Sequence, residues 1–339
     1  MDFGNRYDRL FVAMVLPYRK GTFEPDEEGL RRLIRTFLQP TYVEAGIALI
    51  VNPEAGEVFY LDRATRRRLV EVAADEVAGR VPLFAGVIEP STMGTIISAE
   101  DALKAGAEGL FVLPPIGAGD ITVSWNAREY PEVWIDMVKA IVDRVGEHVP
   151  IICHPTASLS MAYGNGFPLE STIRMLEKIP NIVGWKMTYN YDGYRAIARA
   201  LRNFSRHVAI LAAPAVYFHE NLASNQFDGT VSGSFNYALE PMVEHITAWR
   251  RGDVTTAWRI WESGLAELHE YVYADFSRLH IRYKTATWLR GWIPDPFMMP
   301  PMPLPRRAEV ERLYTLLKNA GLSVLERSAV DELLRGLPG

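Results

Sequence analysis

The sequence predicts an α/β protein of the (β/α)8 TIM-barrel class with a C-terminal helical appendage. Three observations predict this class. Short apolar runs rich in Val, Ile, Ala and Phe recur about every 25 to 35 residues, with helical patterns between them. The runs are apolar on both faces, which is typical of a parallel sheet. Eight of them precede residue 236, the number that closes such a barrel, and helical patterns alone follow.

The eight predicted strands cover residues 10–16, 47–52, 81–87, 109–114, 149–154, 181–186, 208–213 and 229–234. A doubly wound sheet is the competing architecture. It is disfavoured because no strand is followed by a G-x-G-x-x-G turn with a downstream acid. We therefore expect a barrel over residues 1–236 and a helical region over 237–339 packed on it.

Helices are predicted from their start and stop signals. The segment 26–40 begins with acidic residues and ends at Pro40, and the segment 62–79 has Asp62 as its N-cap and Gly79 as its stop. Four later helices are predicted at 241–253, 254–276, 278–292 and 307–322. A Pro- and Met-rich segment that begins at Ile293 is expected to run extended between the last two, as a packed surface connection or as a contact surface.

Composition narrows the classes of function. The chain has 339 residues, 48% hydrophobic and 23% charged, which suits a globular protein with a large core. A net charge of −5 and a pI near 5.9, without a basic patch, argue against a nucleic-acid partner. No apolar run approaches the roughly 20 residues of a membrane span, and the N-terminus lacks a signal-peptide pattern. Cys153 is the single cysteine, which excludes an internal disulfide and suits a cytoplasmic location.

The strongest chemical signal is Lys186, which ends the sixth predicted strand in "VGWKMTY". Active sites of such barrels lie at the C-terminal ends of the strands. A lysine there loses hydration, which lowers its pKa, and an unprotonated amine can attack a carbonyl to form a Schiff base without a cofactor. The alternatives are a lysine that snorkels to solvent or pairs with Glu54 or Glu57.

Other strand ends supply weaker candidates. His154 ends the fifth strand and could transfer protons near neutral pH or serve as a structural hydrogen-bonding group. Glu54 and Glu57 follow the second strand and could be an acid of raised pKa and a structural carboxylate, or simply ion-pair partners or acids at the start of a helix. Cys153 is interpreted as a small buried hydrophobic residue rather than a nucleophile.

The patterns give no support to metal or phosphate chemistry. His219-Glu220 and His269-Glu270 are not followed by the second histidine of an H-E-x-x-H zinc motif. Neither a G-x-x-x-x-G-K-[ST] phosphate loop nor a G-x-S-x-G elbow occurs. We therefore predict no metal site and no cofactor.

Several segments together resemble one known family. "NIVGWKMT" is similar to the "N-I-x-G-x-K" run that carries the Schiff-base lysine of the dihydrodipicolinate synthase and N-acetylneuraminate lyase superfamily. "VNPEAGEVFYLDRATRRRLVE" resembles that family's "GTTGE…L…ER" region, and "AGAEGLFVLPP", "IICHP", "DGTVSGSFN" and "IRYKTATWLRGW" resemble further family segments in the same order. The resemblance extends from about residue 8 to 320. It implies a class I aldolase or dehydratase barrel, usually tetrameric, that acts on 2-oxo acids such as pyruvate, with Lys186 as the catalytic lysine.

The same resemblance exposes departures around the lysine. Glu54 and Ala55 stand where the family's paired threonines bind the substrate carboxylate and begin a proton relay, whereas Gly56 and Glu57 match. An ionised Glu54 would repel a substrate carboxylate. Ile152 and Cys153 align with the tyrosine and asparagine of the family's "YNxP". Ile116 aligns with the second tyrosine of its "PYY", and the vicinity of Ala157 aligns with the synthases' arginine. Dihydrodipicolinate synthase activity itself is therefore not expected.

Replacement groups are available in the sequence. The segment "TASLSMAYGNGFPLE" offers Ser158, Ser160 and Tyr163 as hydroxyl donors. We predict that Lys186 forms the imine and that His154 or Tyr163 moves protons. The predicted substrate-binding positions are Glu54, Ala55, Gly56 and Ser232.

The predicted function is a Schiff-base lyase or aldolase, in a homotetramer or dimer, acting on a pyruvate-like 2-oxo acid or related carbonyl compound. Two alternatives stay open. One is a divergent barrel that binds a carbonyl ligand without turning it over. The other is a dehydratase of a sugar-derived 2-oxo acid, which shares the imine and differs in the bond that breaks.

Overall fold

The computed structural model describes residues 3–115, 125–155 and 166–337. Eight parallel strands pair in chain order, and the last pairs with the first, so the sheet is a closed barrel. The strands are β1 Leu10–Ala13, β2 Ile47–Val51, β3 Leu83–Val87, β4 Gly109–Val112, β5 Ile151–Cys153, β6 Ile182–Met187, β7 Ala209–Ala212 and β8 Gly229–Ser232. The (β/α)8 class predicted from the sequence is confirmed.

Most strands are shorter than predicted, and β6 differs in a way that matters for the site. It continues to Met187, so Lys186 lies inside the strand and pairs with Leu211 of β7 rather than ending the strand. Successive side chains of a strand point to opposite faces. Trp185 and Met187 are fully buried, and Trp185 packs on Trp134, which belongs to the surrounding helical layer. The Lys186 side chain is consequently on the barrel-interior face.

Eight helices of the described residues accompany the strands. They are α1 Glu27–Phe37, α2 Pro40–Glu44, α3 Arg63–Val77, α4 Thr92–Lys104, α5 Glu132–Val145, α6 Leu169–Lys178, α7 Tyr191–Arg202 and α8 Phe218–Ala223. Asp62 caps α3 as predicted and accepts a hydrogen bond of 2.7 Å from the Thr65 amide. Pro40 does not end α1 but begins α2, since proline lacks only a donor that the first helical turn leaves unpaired.

The C-terminal part is helical, as predicted. Its helices are α9 Phe235–Arg250, α10 Val254–Ile260, α11 Ala266–Tyr273, α12 Leu279–Leu289, α13 Arg307–Asn319 and α14 Arg327–Gly336. The predicted single helix 254–276 is wrong: a π-helical turn, Trp261–Leu265, separates α10 from α11, and Gly264 there has φ of 101°. Helix α14 was not predicted. Residue 236 lies within α9, and the division into 1–236 and 237–339 stays a prediction.

Polar contacts join the C-terminal helices to the ends of the first strands. Asn236 of α9 donates to the carbonyl of Ala13 at 2.8 Å and accepts from the amide of Val15 at 3.1 Å. The Pro- and Met-rich segment also reaches this end, because the Met299 amide donates to Glu57 Oε2 at 2.7 Å. The helical region therefore helps to build the end of the barrel where the strands terminate. Within the described ranges, no helix combines the length and apolar character needed to cross a membrane.

Candidate active site

Three titratable side chains from different strand ends converge in the barrel mouth. Nδ1 of His154 lies 3.0 Å from Glu54 Oε2 and 3.2 Å from Lys186 Nζ. The Lys186 nitrogen is 3.7 Å from the same Glu54 oxygen. The Lys186 and Glu54 side chains are each 11% exposed, so the cluster is enclosed but reachable. The structure thus brings together three of the residues that the sequence predicted for the site.

Besides these polar contacts, the Lys186 nitrogen faces an aromatic ring. The ammonium nitrogen is 5.4 Å from the centre of the ring of Phe111, a residue of β4. Burial lowers the pKa of Lys186, and the Glu54 carboxylate opposes that shift without cancelling it. A lowered pKa increases the fraction of free amine at neutral pH, which is the reactive form toward a carbonyl.

Glu54 opens a short 3-10 turn, Glu54–Gly56, directly after β2. Burial alone would raise the pKa of its carboxyl, but His154 and Lys186 outweigh burial and hold the pKa well below its usual range. Glu54 is therefore ionised in the resting site. The raised-pKa acid considered from the sequence is not what this arrangement produces.

His154 follows β5, and its amide donates to the Val112 carbonyl at 2.9 Å. Its ring stacks on Phe111 with centroids 5.3 Å apart. Burial lowers the pKa of His154 to about 4, so the ring is neutral near pH 7. Nδ1 faces both the Glu54 carboxylate and the Lys186 nitrogen, whereas Nε2 has no hydrogen-bond partner among the described residues.

Ala55 and Gly56 follow Glu54 directly in the chain, and the packing around them accounts for both small residues. Ala55 is buried, with 4% of its surface exposed. A Cβ at Gly56 would come within 2.9 Å of the Met14 carbonyl and 2.8 Å of the Pro53 ring. Glycine at 56 therefore lets the turn press against the end of β1, and its role in substrate binding remains a prediction.

Ser232, the last residue of β8, belongs to a buried cluster of hydroxyl groups. Its Oγ lies 3.3 Å from the hydroxyl of Tyr273, which in turn lies 3.1 Å from Ser234 Oγ. Tyr283 donates to the Tyr273 hydroxyl at 2.5 Å, and Tyr237 donates to Ser234 at 3.0 Å. The three tyrosines come from the C-terminal helices. These tyrosines were not predicted from the sequence, because a helical residue pattern does not show which tyrosines contact a strand that is distant in the chain.

His280, at the start of α12, is a further group that the sequence did not suggest. Its ring centroid lies 5.8 Å from that of Tyr283. Burial lowers the pKa of His280, and the charge of Lys186 lowers it further, whereas the charge of Glu54 opposes the shift. His280 therefore interacts electrostatically with both groups. A clue to His280 was available in the sequence, since this residue directly precedes the family-like segment "IRYKTATWLRGW". That segment predicted a helix but did not indicate that a residue of its first turn would lie near the site.

Glu57 forms a second lysine–glutamate pair near the first. Glu57 Oε1 accepts from Lys284 Nζ at 2.5 Å, and both side chains are almost fully buried. Glu57 Oε2 accepts from the Tyr18 hydroxyl at 3.1 Å. Burial lowers the pKa of Lys284 to about 8. This pair ties α12 to the turn after β2, which is the structural role considered for Glu57.

Some predicted groups lie elsewhere. Tyr163, Ser158 and Ser160 fall outside the described residues. Cys153 ends β5 with no exposed surface, and burial raises the pKa of its thiol. A buried thiol of raised pKa is a poor nucleophile.

One group of metal-type ligands occurs in the described part of the chain, at the opposite end of the barrel. Asp8, His207 and Asp228 have ligand atoms within 4.8 Å of one another. Both oxygens of Asp228 are already engaged by Arg202 at 2.7 Å, and one also accepts from the Ile210 amide at 2.8 Å. This group is accounted for as an ion-pair network.

Comparison with known proteins agrees with this architecture. The dihydrodipicolinate synthetase family model matches residues 6–320. A 4-hydroxy-tetrahydrodipicolinate synthase from Bradyrhizobium diazoefficiens is 27% identical over 92% of this chain and 96% of its own. The probable 2-dehydro-3-deoxy-D-pentonate aldolase YjhH of Escherichia coli is 27% identical over 72% of this chain and 76% of its own.

Solved structures show the same fold. Dihydrodipicolinate synthase from Aquifex aeolicus superposes with a TM-score of 0.77 at 21% identity, covering 94% of this chain and 99% of that one. YagE of Escherichia coli, a member of the dihydrodipicolinic acid synthase family solved in complex with pyruvate, gives the same TM-score, identity and coverage. With the family model matching almost the whole chain, the protein belongs to the dihydrodipicolinate synthetase family.

Proposed function

We propose that this protein is a class I lyase or aldolase in which Lys186 forms a Schiff base with a 2-oxo acid or a related carbonyl compound. The observation that carries the proposal is the contact of a single nitrogen, Nδ1 of His154, with both Glu54 and Lys186. This arrangement offers a nucleophile, a proton carrier within hydrogen-bonding distance of it, and a carboxylate that stabilises the carrier when it is charged.

The three groups can complete imine formation without a cofactor. Nδ1 of neutral His154 takes a proton from the Lys186 ammonium, which leaves a free amine and an imidazolium beside the Glu54 carboxylate. The amine attacks the carbonyl carbon, and a proton moves from the nitrogen to the oxygen, which gives the hydroxyl of a carbinolamine. The imidazolium returns its proton to that hydroxyl, the C–O bond breaks, and water leaves. The nitrogen keeps its last hydrogen as a protonated imine.

A protonated imine can accept the electron pair of an adjacent carbon–carbon or carbon–oxygen bond. The geometry of the three groups supports imine formation, whereas it does not identify which bond of the imine breaks afterwards. We place His154, and Tyr163 outside the described residues, as proton-moving groups for that later step, and Glu54, Ala55, Gly56 and Ser232 along the substrate. Product analysis by NMR would distinguish cleavage, condensation and dehydration.

Borohydride trapping tests the proposal. The enzyme is incubated with pyruvate and a panel of aldehydes and ketones, reduced, and digested for mass spectrometry. We expect a reduced adduct on Lys186 with at least one compound. Lys186→Ala should form none, whereas Glu332→Gln, which changes an exposed carboxylate of α14, should label like the wild type. Absence of any adduct across the panel would refute the proposal.

We also propose that the protein acts as a homo-oligomer, as the family resemblance implies. Sedimentation equilibrium of the purified chain would measure this directly. A single species at the monomer mass of 38.2 kDa would contradict it.

A further inference from the structure

We infer that the substrate carries an uncharged group on its carbonyl carbon, in the place where a 2-oxo acid carries its carboxylate. Aldehydes, hydroxyketones and the esters or amides of 2-oxo acids have such a group. This inference rests on the proposed function and narrows its substrate class.

Covalent geometry fixes where that group must lie. In a Schiff base the former carbonyl carbon is about 1.3 Å from the lysine nitrogen, and its substituent carbon is about 1.5 Å further. The substituent therefore lies about 2.5 Å from Nζ, whichever way the imine is oriented. Glu54 Oε2 lies 3.7 Å from the same nitrogen. A substrate carboxylate would thus share the immediate surroundings of Nζ with the Glu54 carboxylate.

The charges at this point are already balanced without a substrate carboxylate. Glu54 supplies one negative charge and a protonated imine supplies one positive charge. The two histidines near them, His154 and His280, are neutral near pH 7, since burial lowers the pKa of both. A second carboxylate would leave a net negative charge in an enclosed site, which low-dielectric surroundings disfavour strongly.

Two other buried or half-buried cations at this end of the barrel, Arg66 and Lys284, are committed to partners. Arg66 pairs with Glu89 at 2.5 Å and donates to the carbonyl of Ile88, and Lys284 pairs with Glu57. Residues 116–124 and 156–165, which lie outside the described ranges, contain no Lys, Arg or His in their sequence. Among the buried cations described, Lys186 is the one that lies at this position, and Glu54 already neutralises it.

The remaining polar groups suit uncharged oxygen atoms. The Ser232 and Tyr273 hydroxyls belong to a cluster whose members bond mainly to one another and to the Ala213 carbonyl. Hydroxyl groups donate to and accept from alcohol or carbonyl oxygens without adding charge. A hydroxyketone or an ester would meet this requirement.

A ratio of trapping rates tests the inference. Borohydride labelling of Lys186 is followed with pyruvate and with methyl pyruvate or pyruvamide, which replace the carboxylate by an uncharged group. The ratio of the neutral compound's rate to that of pyruvate is measured in the wild type and in Glu54→Gln. Intrinsic differences in carbonyl reactivity cancel between the two proteins. We expect the ratio to be at least tenfold higher in the wild type.

Three controls make the outcome decisive. Glu332→Gln should keep the wild-type ratio, and Glu54→Thr should reproduce the lower ratio of Glu54→Gln if the latter folds poorly. In the wild type, excess pyruvate should not slow labelling by methyl pyruvate. Equal ratios in wild type and both Glu54 variants, or effective competition by pyruvate, would overturn the inference while leaving the Schiff-base function standing. Absence of labelling by every carbonyl compound would overturn both.

Discussion

Two buried lysine–glutamate pairs lie close together at the C-terminal end of the barrel strands, and they differ in how directly the two side chains of each pair contact one another. Glu54 and Glu57 are three residues apart in the chain. Glu57 contacts Lys284 directly at 2.5 Å, and its second oxygen accepts from Tyr18 and from the Met299 amide. Glu54 stands 3.7 Å from Lys186, with the His154 nitrogen in contact with both.

The difference shows that a lowered lysine pKa is not sufficient to identify a nucleophile. Burial lowers the pKa of both lysines, and for Lys284 to about 8. The Lys284 side chain, however, is 1% exposed and lies 3.9 Å from the centre of the Tyr18 ring, so a carbonyl compound has no approach to it. Lys186 is partly exposed and has a proton carrier beside it. Access and a neighbouring imidazole separate the pair that we propose to be reactive from the structural one.

The largest expected effect is the complete loss of borohydride labelling in Lys186→Met. This change removes the nucleophile, whereas Glu54 retains its hydrogen bond from His154. The free energy of unfolding should therefore fall by about 1–3 kcal/mol, measured by urea denaturation. Residual labelling at another lysine in this variant would show that the two pairs have been assigned the wrong roles.

The second effect concerns stability. Lys284→Met leaves the Glu57 carboxylate buried without its cation, and removing one partner of a buried pair costs about 3–5 kcal/mol. Urea denaturation measures this loss. The double variant Lys284→Met with Glu57→Gln should recover much of it, because the uncompensated charge is gone. A loss smaller than that of Lys186→Met would contradict the distinction between the pairs.

A third effect separates proton transfer from binding. In His154→Asn the amide can still donate to Glu54 but does not exchange protons as an imidazole does. We expect the labelling rate at saturating carbonyl compound to fall by about 100-fold, the lower end of general acid–base effects. The matched control is His207→Asn, at the opposite end of the barrel, which should label normally. An unchanged rate in His154→Asn would remove His154 from the mechanism.

The smallest effect is a pH dependence of stability. Folding lowers the pKa of His154 from 6.5 to about 4. Between these values the unfolded chain binds more protons, so the free energy of unfolding falls as the pH is lowered. The slope from this group reaches about 1.4 kcal/mol per pH unit. Urea denaturation of wild type and His154→Asn from pH 6.5 to 4.5 should show a shallower slope in the variant, and parallel curves would disprove the shift.

Much of the fold followed from the sequence because parallel-barrel strands are short apolar runs at regular spacing. Lys186 was placed on the correct strand for the same reason, although β6 extends one residue beyond it. Asp62 was correctly identified as a helix cap from the local residue pattern. These features depend on interactions between residues close in the chain.

The rest of the site depends on contacts between distant segments. Tyr273 reaches Ser232 of β8 from a helix 41 residues later, and Tyr283 of the next helix donates to the Tyr273 hydroxyl. Similarly, the ionised state of Glu54 follows from its distance to His154 and Lys186, which are 100 and 132 residues away. No local pattern encodes such distances.

The π-helical turn Trp261–Leu265 has a consequence for the length of this segment. A π turn contains one more residue than the α turn it replaces, yet both complete one rotation of the chain. The turn at Trp261–Leu265 therefore takes up one additional residue without rotating α11 by the roughly 100° that a residue adds to a regular α-helix. Tyr273 of α11 thereby faces the hydroxyl groups of Ser232 and Ser234. In this segment the type of helical turn, as much as the residues themselves, sets which side chain reaches the barrel.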